Sequence, residues 1–304
     1  MLSALRGGNL LGFLSQLAYN SGILSKFVEN YNAMLHFISF GSGSSGNCSL
    51  IYNEKEGLLI DAGIGVRILK KHLKNYGLNI SNIRSILVTH DHADHVKSVG
   101  SVSKDYHIPV YTTRKVHEGI EENWCVRTKV PQDMSFVVEK GQPFHVGDFS
   151  ITAFGVPHDS KDNVGYCIKA EGVTFVLMTD IGHFTDEMLE YVGRANYLVI
   201  EADYEKAMLE AGPYPVELKR RIQSSLGHTS NFDCGQVLAH YATPALRGVW
   251  LCHLSDTNNQ PEVAEKTVKQ VLRASGIVAS NDPGADFTLN ALNRKLPTGV
   301  FDLK

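Results

Sequence analysis

Between positions 89 and 95 the chain reads Thr89-His90-Asp91-His92-Ala93-Asp94-His95, and this run constrains the fold more than any other segment. Three imidazoles and the Asp94 carboxylate crowd into six consecutive positions, directly after the apolar run Ser85–Thr89 and ahead of a helical pattern. Such a donor set suits borderline divalent cations such as Zn²⁺, Mn²⁺ or Fe²⁺. In an extended segment His90 and His92 fall on one side of the chain at period two. A turn into the following helix swings Asp94 and His95 toward a neighbouring point, so one segment can serve two metals. A solvated histidine-rich loop is the competing reading; it explains a lone histidine better than this run.

From Leu35 onward, short aliphatic runs alternate with helical periodicity, which predicts an α/β architecture. Strands are expected at His36–Phe40, Cys48–Tyr52, Leu58–Ile60, Ser85–Thr89, Ser150–Phe154, Gly165–Ala170, Thr174–Met178, Tyr197–Glu201 and Val249–Cys252. Helices are expected at Val66–Asn75, His95–Lys104, Arg114–Glu122, Asp186–Tyr191, Pro215–Gln223, Asp233–Ala242 and Pro261–Ala274. Asp61, His90, Asp180, Glu201 and His253 all fall at or just after the end of an expected strand. A rigid sheet positions such side chains better than a loop does.

Residues 1–33 read as an extension ahead of a compact hydrolase domain at 34–304. Apolar residues recur at helical spacing between Asn9 and Val28, but a lone Arg6 and the lack of a convincing small-x-small site argue against a signal peptide. No apolar run approaches the roughly 20 residues that span a bilayer, so no membrane partner is expected. The net charge of −3 gives no global attraction to nucleic acid, so any such partner needs a local basic patch. Five scattered cysteines without a CxxC pair argue against a disulfide framework or a cysteine zinc site, and for a reducing cytoplasm. His36, His72, His107, His117, His145 and His240 lack partners in the pattern and read as surface or core residues. His183, close after Asp180, is a weaker candidate for a supporting role.

The run Thr89–His95 resembles the HxHxDH signature of the metallo-β-lactamase superfamily. Leu59-Ile60-Asp61-Ala62-Gly63 looks like that family's first motif, Pro157-His158 like its third, Thr179-Asp180-Ile181-Gly182 like its fourth, and Leu251-Cys252-His253-Leu254-Ser255 like the segment carrying the last ligand. The resemblance implies the αββα sandwich, two mixed sheets face to face with helices outside and two divalent metal ions, zinc or manganese, at one edge. It assigns His90, His92 and His158 to one metal, and Asp94, His95 and His253 to the other. Asp180 bridges the two, and Asp61 supports the metal loop from behind. Catalysis would use a hydroxide activated by both ions.

Three details narrow the reaction. No cysteine occupies a ligand position, which disfavours the β-lactam-cleaving branches that use one. Leu226-Gly227-His228-Thr229-Ser230-Asn231 is similar to the histidine motif of the tRNase Z branch, with Glu201 in the acidic element that orients it. His228 would then be the catalytic acid at a phosphodiester, alongside Asp94 and Asp180, with Thr229 and Ser230 meeting phosphate; helix capping is the plain alternative. Finally, Ser44, Ser45 and Asn47 lie in a serine-glycine loop suited to phosphate. Together these motifs resemble the YycJ/WalJ group from Met34 to Ala279, which implies a metal-dependent nuclease, a 5′-directed DNA exonuclease of the bacterial cytoplasm. Only 73 positions separate Asp180 from His253, too few for a large inserted lid, so an open metal edge is expected, with Lys97, Lys219, Arg220 and Arg221 available to a nucleic-acid backbone. A cyclic phosphodiesterase or glyoxalase-II-like thioesterase is the alternative within the fold, although a thiolate leaves without a proton and has little use for His228. A binding protein with a degraded site is the alternative outside enzymes, and every ligand position is filled. Oligomeric state is open.

Overall fold

Strands with no polar face need cover on both sides, and that requirement organises the chain. A computed structural model describes residues 34–304; the expected extension at 1–33 lies outside the described residues. In chain order the strands are β1 (Leu35–Gly41), β2 (Cys48–Tyr52), β3 (Gly57–Ile60), β4 (Ile83–Leu87), β5 (Val110–Thr112), β6 (Ser135–Val137), β7 (Pro143–Val146), β8 (Phe149–Gly155), β9 (Val164–Ala170), β10 (Val173–Met178), β11 (Tyr197–Glu201), β12 (Gly248–Cys252), β13 (Thr288–Ala291) and β14 (Phe301–Leu303). They form two seven-stranded sheets, ordered β14-β1-β2-β3-β4-β5-β6 and β13-β12-β11-β10-β9-β8-β7. The helices are α1 (Val66–Asn75), α2 (Ala93–Val96), α3 (Val99–Tyr106), α4 (Arg114–Glu122), α5 (Asp186–Arg194), α6 (Lys206–Ala211), α7 (Val216–Ile222), α8 (Asn231–Tyr241) and α9 (Pro261–Ala274).

Side-chain alternation sorts each strand between two cores. Phe37, Leu58, Ile60, Phe175, Trp250 and Cys252 pack between the sheets. Their neighbours Ile38, Phe40 and Leu59 face outward onto α1, α3 and α4 through Leu69, Val102 and Val116. On the other sheet Val176, Val249 and Leu251 face α5, α8 and α9 through Val192, Leu238 and Val268. The result is the expected αββα sandwich.

Direction then sets where chemistry can sit. β3, β4 and β5 run parallel, and so do β10, β11, β12 and β13. Two antiparallel steps bring β1 into line with β3, and β8 into line with β10. The C-terminal ends of all these strands therefore deliver loops to a common edge of their sheet, the place where open α/β sheets bind ligands.

Two expectations about elements are corrected. The segment His95–Lys104 is two helices, α2 and α3, because its ladder is interrupted: the Asp94 carbonyl accepts from Asn47 N (2.7 Å), while Ser98 N turns to the Ala62 carbonyl (2.9 Å). Strands β5, β6, β7, β13 and β14 and helix α6 were not expected, since runs of three to six residues show too little periodicity.

Tyr166 links the sheets from within: its buried hydroxyl, on β9, donates to the Val88 carbonyl beyond β4 at 2.7 Å. Tyr166→Phe should lower stability by about 1 kcal/mol, read as a shift of the urea midpoint at constant slope. An unchanged midpoint would show that the bond contributes nothing.

Candidate metal centre

Three strand ends turn through a backbone conformation that non-glycine residues rarely adopt. Asp61 (φ 59°), Asp180 (φ 55°) and His253 (φ 54°) are all left-handed, each immediately or closely after β3, β10 and β12. Each costs on the order of 1–2 kcal/mol, and each is held by a neighbour. Asp61 N donates to the Leu87 carbonyl (2.8 Å), His253 N to Ser42 Oγ (2.9 Å), and Ile181 N, beside Asp180, to Glu201 Oε2 (2.7 Å). Strain held in place by such contacts is a mark of functional sites. Glycine is needed once close by: a Cβ on Gly63 would overlap the Asp94 carbonyl and meet Asn47 N at 2.8 Å.

The turns bring the ligand candidates together. Ligand atoms of His90, His92 and His158 lie within 4.8 Å of one another, as do those of Asp94, His95 and His253. Asp180 stands between the two groups: its Oδ2 is 3.3 Å from His95 Nε2, and its Oδ1 is 3.6 Å from His158 Nε2 and 3.5 Å from His253 Nε2. The opposite ring nitrogens are anchored. His95 Nδ1 donates to Asp61 (2.7 Å), which also accepts from Thr89 N and Oγ1 (2.8 and 2.9 Å). His158 Nδ1 donates to the Gly227 carbonyl (3.1 Å). Anchoring of this kind is how metal-ligating imidazoles are oriented.

Whether a cation fits can be tested on the polar atoms themselves. His90 Nε2, His158 Nε2 and both ring nitrogens of His253 are buried without a hydrogen-bond partner. Each such group costs roughly 1–3 kcal/mol unless something coordinates it, and their convergence on Asp94 and Asp180 is what a divalent cation requires. Burial pushes His90 well below the ordinary histidine range, so its lone pair is free. His253 goes the other way: burial opposes its charge, but Asp180, Asp94 and Glu201 outweigh it and hold its pKa well above that range. Around His95 burial likewise opposes charge while Asp61, Asp180 and Asp94 pull the pKa up to about 10. Yet Asn47 Nδ2 lies 2.8 Å from His95 Nε2, a contact that only a ring protonated on Nδ1 alone can accept. The geometry therefore favours the neutral ring, its proton toward Asp61.

His228 sits beside this cluster. Its Nδ1 donates to Glu201 Oε1 at 2.8 Å, its ring stacks on His253 at 5.3 Å, and Nε2 has no partner among the described residues. Glu201 is fully buried and also accepts from the backbone of Ile181 and Thr229 (2.7 and 2.9 Å). Burial disfavours charge on His228, but Glu201 and Asp203 prevail and raise its pKa to about 9.

The expected phosphate contacts are placed unevenly. Ser44 and Ser45 stand exposed at the tip of the loop after β1. Asn47 is buried and spends its amide on Gly43, Asp94 and His95. The Thr229 and Ser230 hydroxyls are buried too, one donating to the Ile181 carbonyl (2.9 Å), the other capping α8 through Asp233 (2.5 and 3.1 Å). The polar atoms of Asn47, Thr229 and Ser230, expected at phosphate, are here engaged within the chain, where they support the candidate ligand loops. Among the basic residues, Arg221 Nε donates to Asp159 Oδ2 (2.5 Å) and Lys219 Nζ to the Glu210 carbonyl (2.7 Å), while Lys97 and Arg220 are exposed. His183 is exposed and bonds the Ser225 carbonyl (2.8 Å).

Sequence reasoning missed Asp159, whose second oxygen is buried, unpartnered and 3.3 Å from His158 Nε2. It also missed Ser42, which holds the His253 turn. Adjacency to His158 was the only signal for the first, and nothing in the sequence marks the second.

Because Asp180, Asp94 and Glu201 favour a proton on His253, a cation bound at that ring competes with the proton. Affinity should therefore strengthen as pH rises, with proton release. Calorimetric titration of Mn²⁺ or Zn²⁺ into chelator-stripped protein, in buffers of different ionisation enthalpy, checks this. Heats independent of the buffer would refute it.

Comparison with known proteins agrees with this geometry. The beta-lactamase superfamily domain family matches residues 57–254. The chain is 34% identical to exodeoxyribonuclease YycJ of Bacillus anthracis over 266 residues, covering 88% of this chain and 98% of that one. It is 33% identical to exodeoxyribonuclease WalJ of Streptococcus pneumoniae, covering 77% and 87%. The metallo-beta-lactamase fold protein YhfI of Bacillus subtilis superposes with a TM-score of 0.65 at 16% identity, covering 89% of this chain and all of that one. With the fold, the convergent ligand candidates and these relatives in agreement, the chain belongs to the metallo-β-lactamase superfamily, in the group of YycJ and WalJ.

Proposed function

We propose that this protein is a metal-dependent nuclease that removes nucleotides from DNA in a 5′-directed manner, with two divalent ions, zinc or manganese, held by His90, His92, His158, Asp94, His95, His253 and the shared Asp180. The exodeoxyribonuclease activity named for its relatives supports the substrate class. The single observation that carries the reaction type is the His228–Glu201 pair, 2.8 Å apart at the edge of the ligand cluster. Cations in such a set supply a Lewis acid for a phosphate oxygen and acidify water to near neutrality. The chain's own residues do the rest.

Asp180 keeps the two ligand groups at a fixed separation. Asp61 and the Gly227 carbonyl fix the rings of His95 and His158. His228, kept charged by Glu201, holds a proton that Nε2 can give to the departing sugar oxygen, an alkoxide that leaves poorly without one. A thioester has no such need, so a buried carboxylate committed to protonating His228 favours phosphodiesters. All five cysteines are free, which supports a reducing, cytoplasmic site of action; no helix among the described residues is long and apolar enough to cross a membrane.

General acid catalysis is worth about 10²–10⁴ in rate, so His228→Ala should lose roughly that factor on oligonucleotides while retaining its metal. On bis(p-nitrophenyl) phosphate, whose phenolate leaves readily, the loss should be far smaller. Equal losses on both substrates would refute the acid role. The bridging assignment is checked separately: the wild type should bind two metal equivalents by elemental analysis, and Asp180→Ala should lose metal and activity with its circular dichroism preserved. Near-normal turnover in that variant would remove Asp180 from the bridge.

A further inference from the structure

We propose that Trp124 is a stacking platform for a nucleic-acid base at the mouth of the metal centre, an inference that rests on the nuclease reading and adds a substrate subsite to it. Trp124 is 87% exposed, the most exposed large hydrophobic side chain among the described residues. A surface indole on a mobile loop would say little, but this one is held. The preceding Asn123 donates from Nδ2 to the backbone carbonyl of Asp91 (2.7 Å), the residue between the ligand candidates His90 and His92. Asn123 Oδ1 accepts from Cys125 N (2.9 Å), and Lys129 Nζ ties down the carbonyls of Ile120 and Asn123 (3.1 and 3.0 Å). Val126 is buried, and Gly100 lacks the Cβ that would collide with the Thr128 carbonyl. The turn is thus clamped to the metal loop through Asn123 and packed against α3 at Gly100, with the indole left bare.

The surroundings favour a nucleic acid over a protein partner. The exposed side chains flanking Trp124 in sequence, Glu121, Glu122 and Arg127, are charged and build no apolar patch around it. The exposed Arg127 guanidinium has no partner among the described residues and can meet a phosphate, while an indole offers a face to any base. Stacking tolerates every sequence, which suits an enzyme that advances along a strand without reading it.

The chain has two tryptophans, and the other, Trp250, is buried. Emission from exposed indole therefore reports on Trp124. A cleavage-resistant phosphorothioate single strand should quench it, the same strand made abasic should not, and Trp124→Phe should abolish the signal while still binding the strand. With cleavable oligonucleotides, Trp124→Ala should raise KM roughly 5- to 150-fold, Trp124→Phe should keep most of the affinity, and the penalty should vanish on an abasic strand. If wild type cleaves oligonucleotides but Trp124→Ala does so with unaltered KM and quenching is absent, the platform is refuted and the nuclease reading stands. If wild type cleaves no oligonucleotide with either metal, the nuclease reading itself falls and the platform with it.

Discussion

Four carboxylates almost closed to solvent, Asp61, Asp180, Glu201 and Asp203, share one edge of the sandwich with the buried imidazoles of His90, His95, His158 and His253. Buried charges persist only when paired or bound to metal, and this balance is the constraint on which the rest of the molecule depends. The carboxylates favour charge on His253 and His228, and the same field would receive cations. Two of these acids also secure backbone: Asp61 the amide of Thr89, Glu201 the amides of Ile181 and Thr229. The charge cluster and the loop geometry are therefore one construction.

That construction draws its rigidity from the sheets. Parallel strands with both faces covered end at a shared edge, and left-handed turns at Asp61, Asp180 and His253 redirect the chain there. Such turns survive because the elements around them leave no room to relax: Ser42 from the loop after β1 grips His253 N, and Asn163 Nδ2 bonds the carbonyls of Thr179 and Asp180 (3.2 and 3.0 Å). The strain is local, while the burial that opposes its release is spread over three apolar cores.

The candidate cation ligands and the candidate proton donor are distinct groups within this small volume. His90, His158 and His253 present bare Nε2 atoms, whereas His228 is committed through Nδ1 to an acid that carries no other side-chain load of comparable strength. A centre that both activates water and protonates an alkoxide needs that division, because a group cannot serve as cation ligand and proton donor in one step.

Much of this was legible in the sequence. The run Thr89–His95 pointed to metal chemistry by composition and spacing, and alternating aliphatic and helical runs pointed to an α/β architecture, since local periodicity reflects which faces are buried; the sandwich itself came from the resemblance of the motifs to a known family. Short edge strands such as β6 and β14 were not legible, because three residues carry no period. Nor was the break between α2 and α3, which exists only because Asn47 and Ala62, distant in sequence, capture the groups that would have continued the helix. Asn47, Thr229 and Ser230 looked like phosphate contacts because hydroxyl and amide types beside a metal motif invite that reading; whether such a group is free or already bonded is a property of packing. Sequence by itself determined which chemistry the chain can perform, through the identity of its donors. Only the tertiary structure decided which donors converge, which are spent on holding the others, and that an indole one residue from Asn123 is left bare beside them, because those outcomes depend on contacts between segments that the order of residues does not reveal.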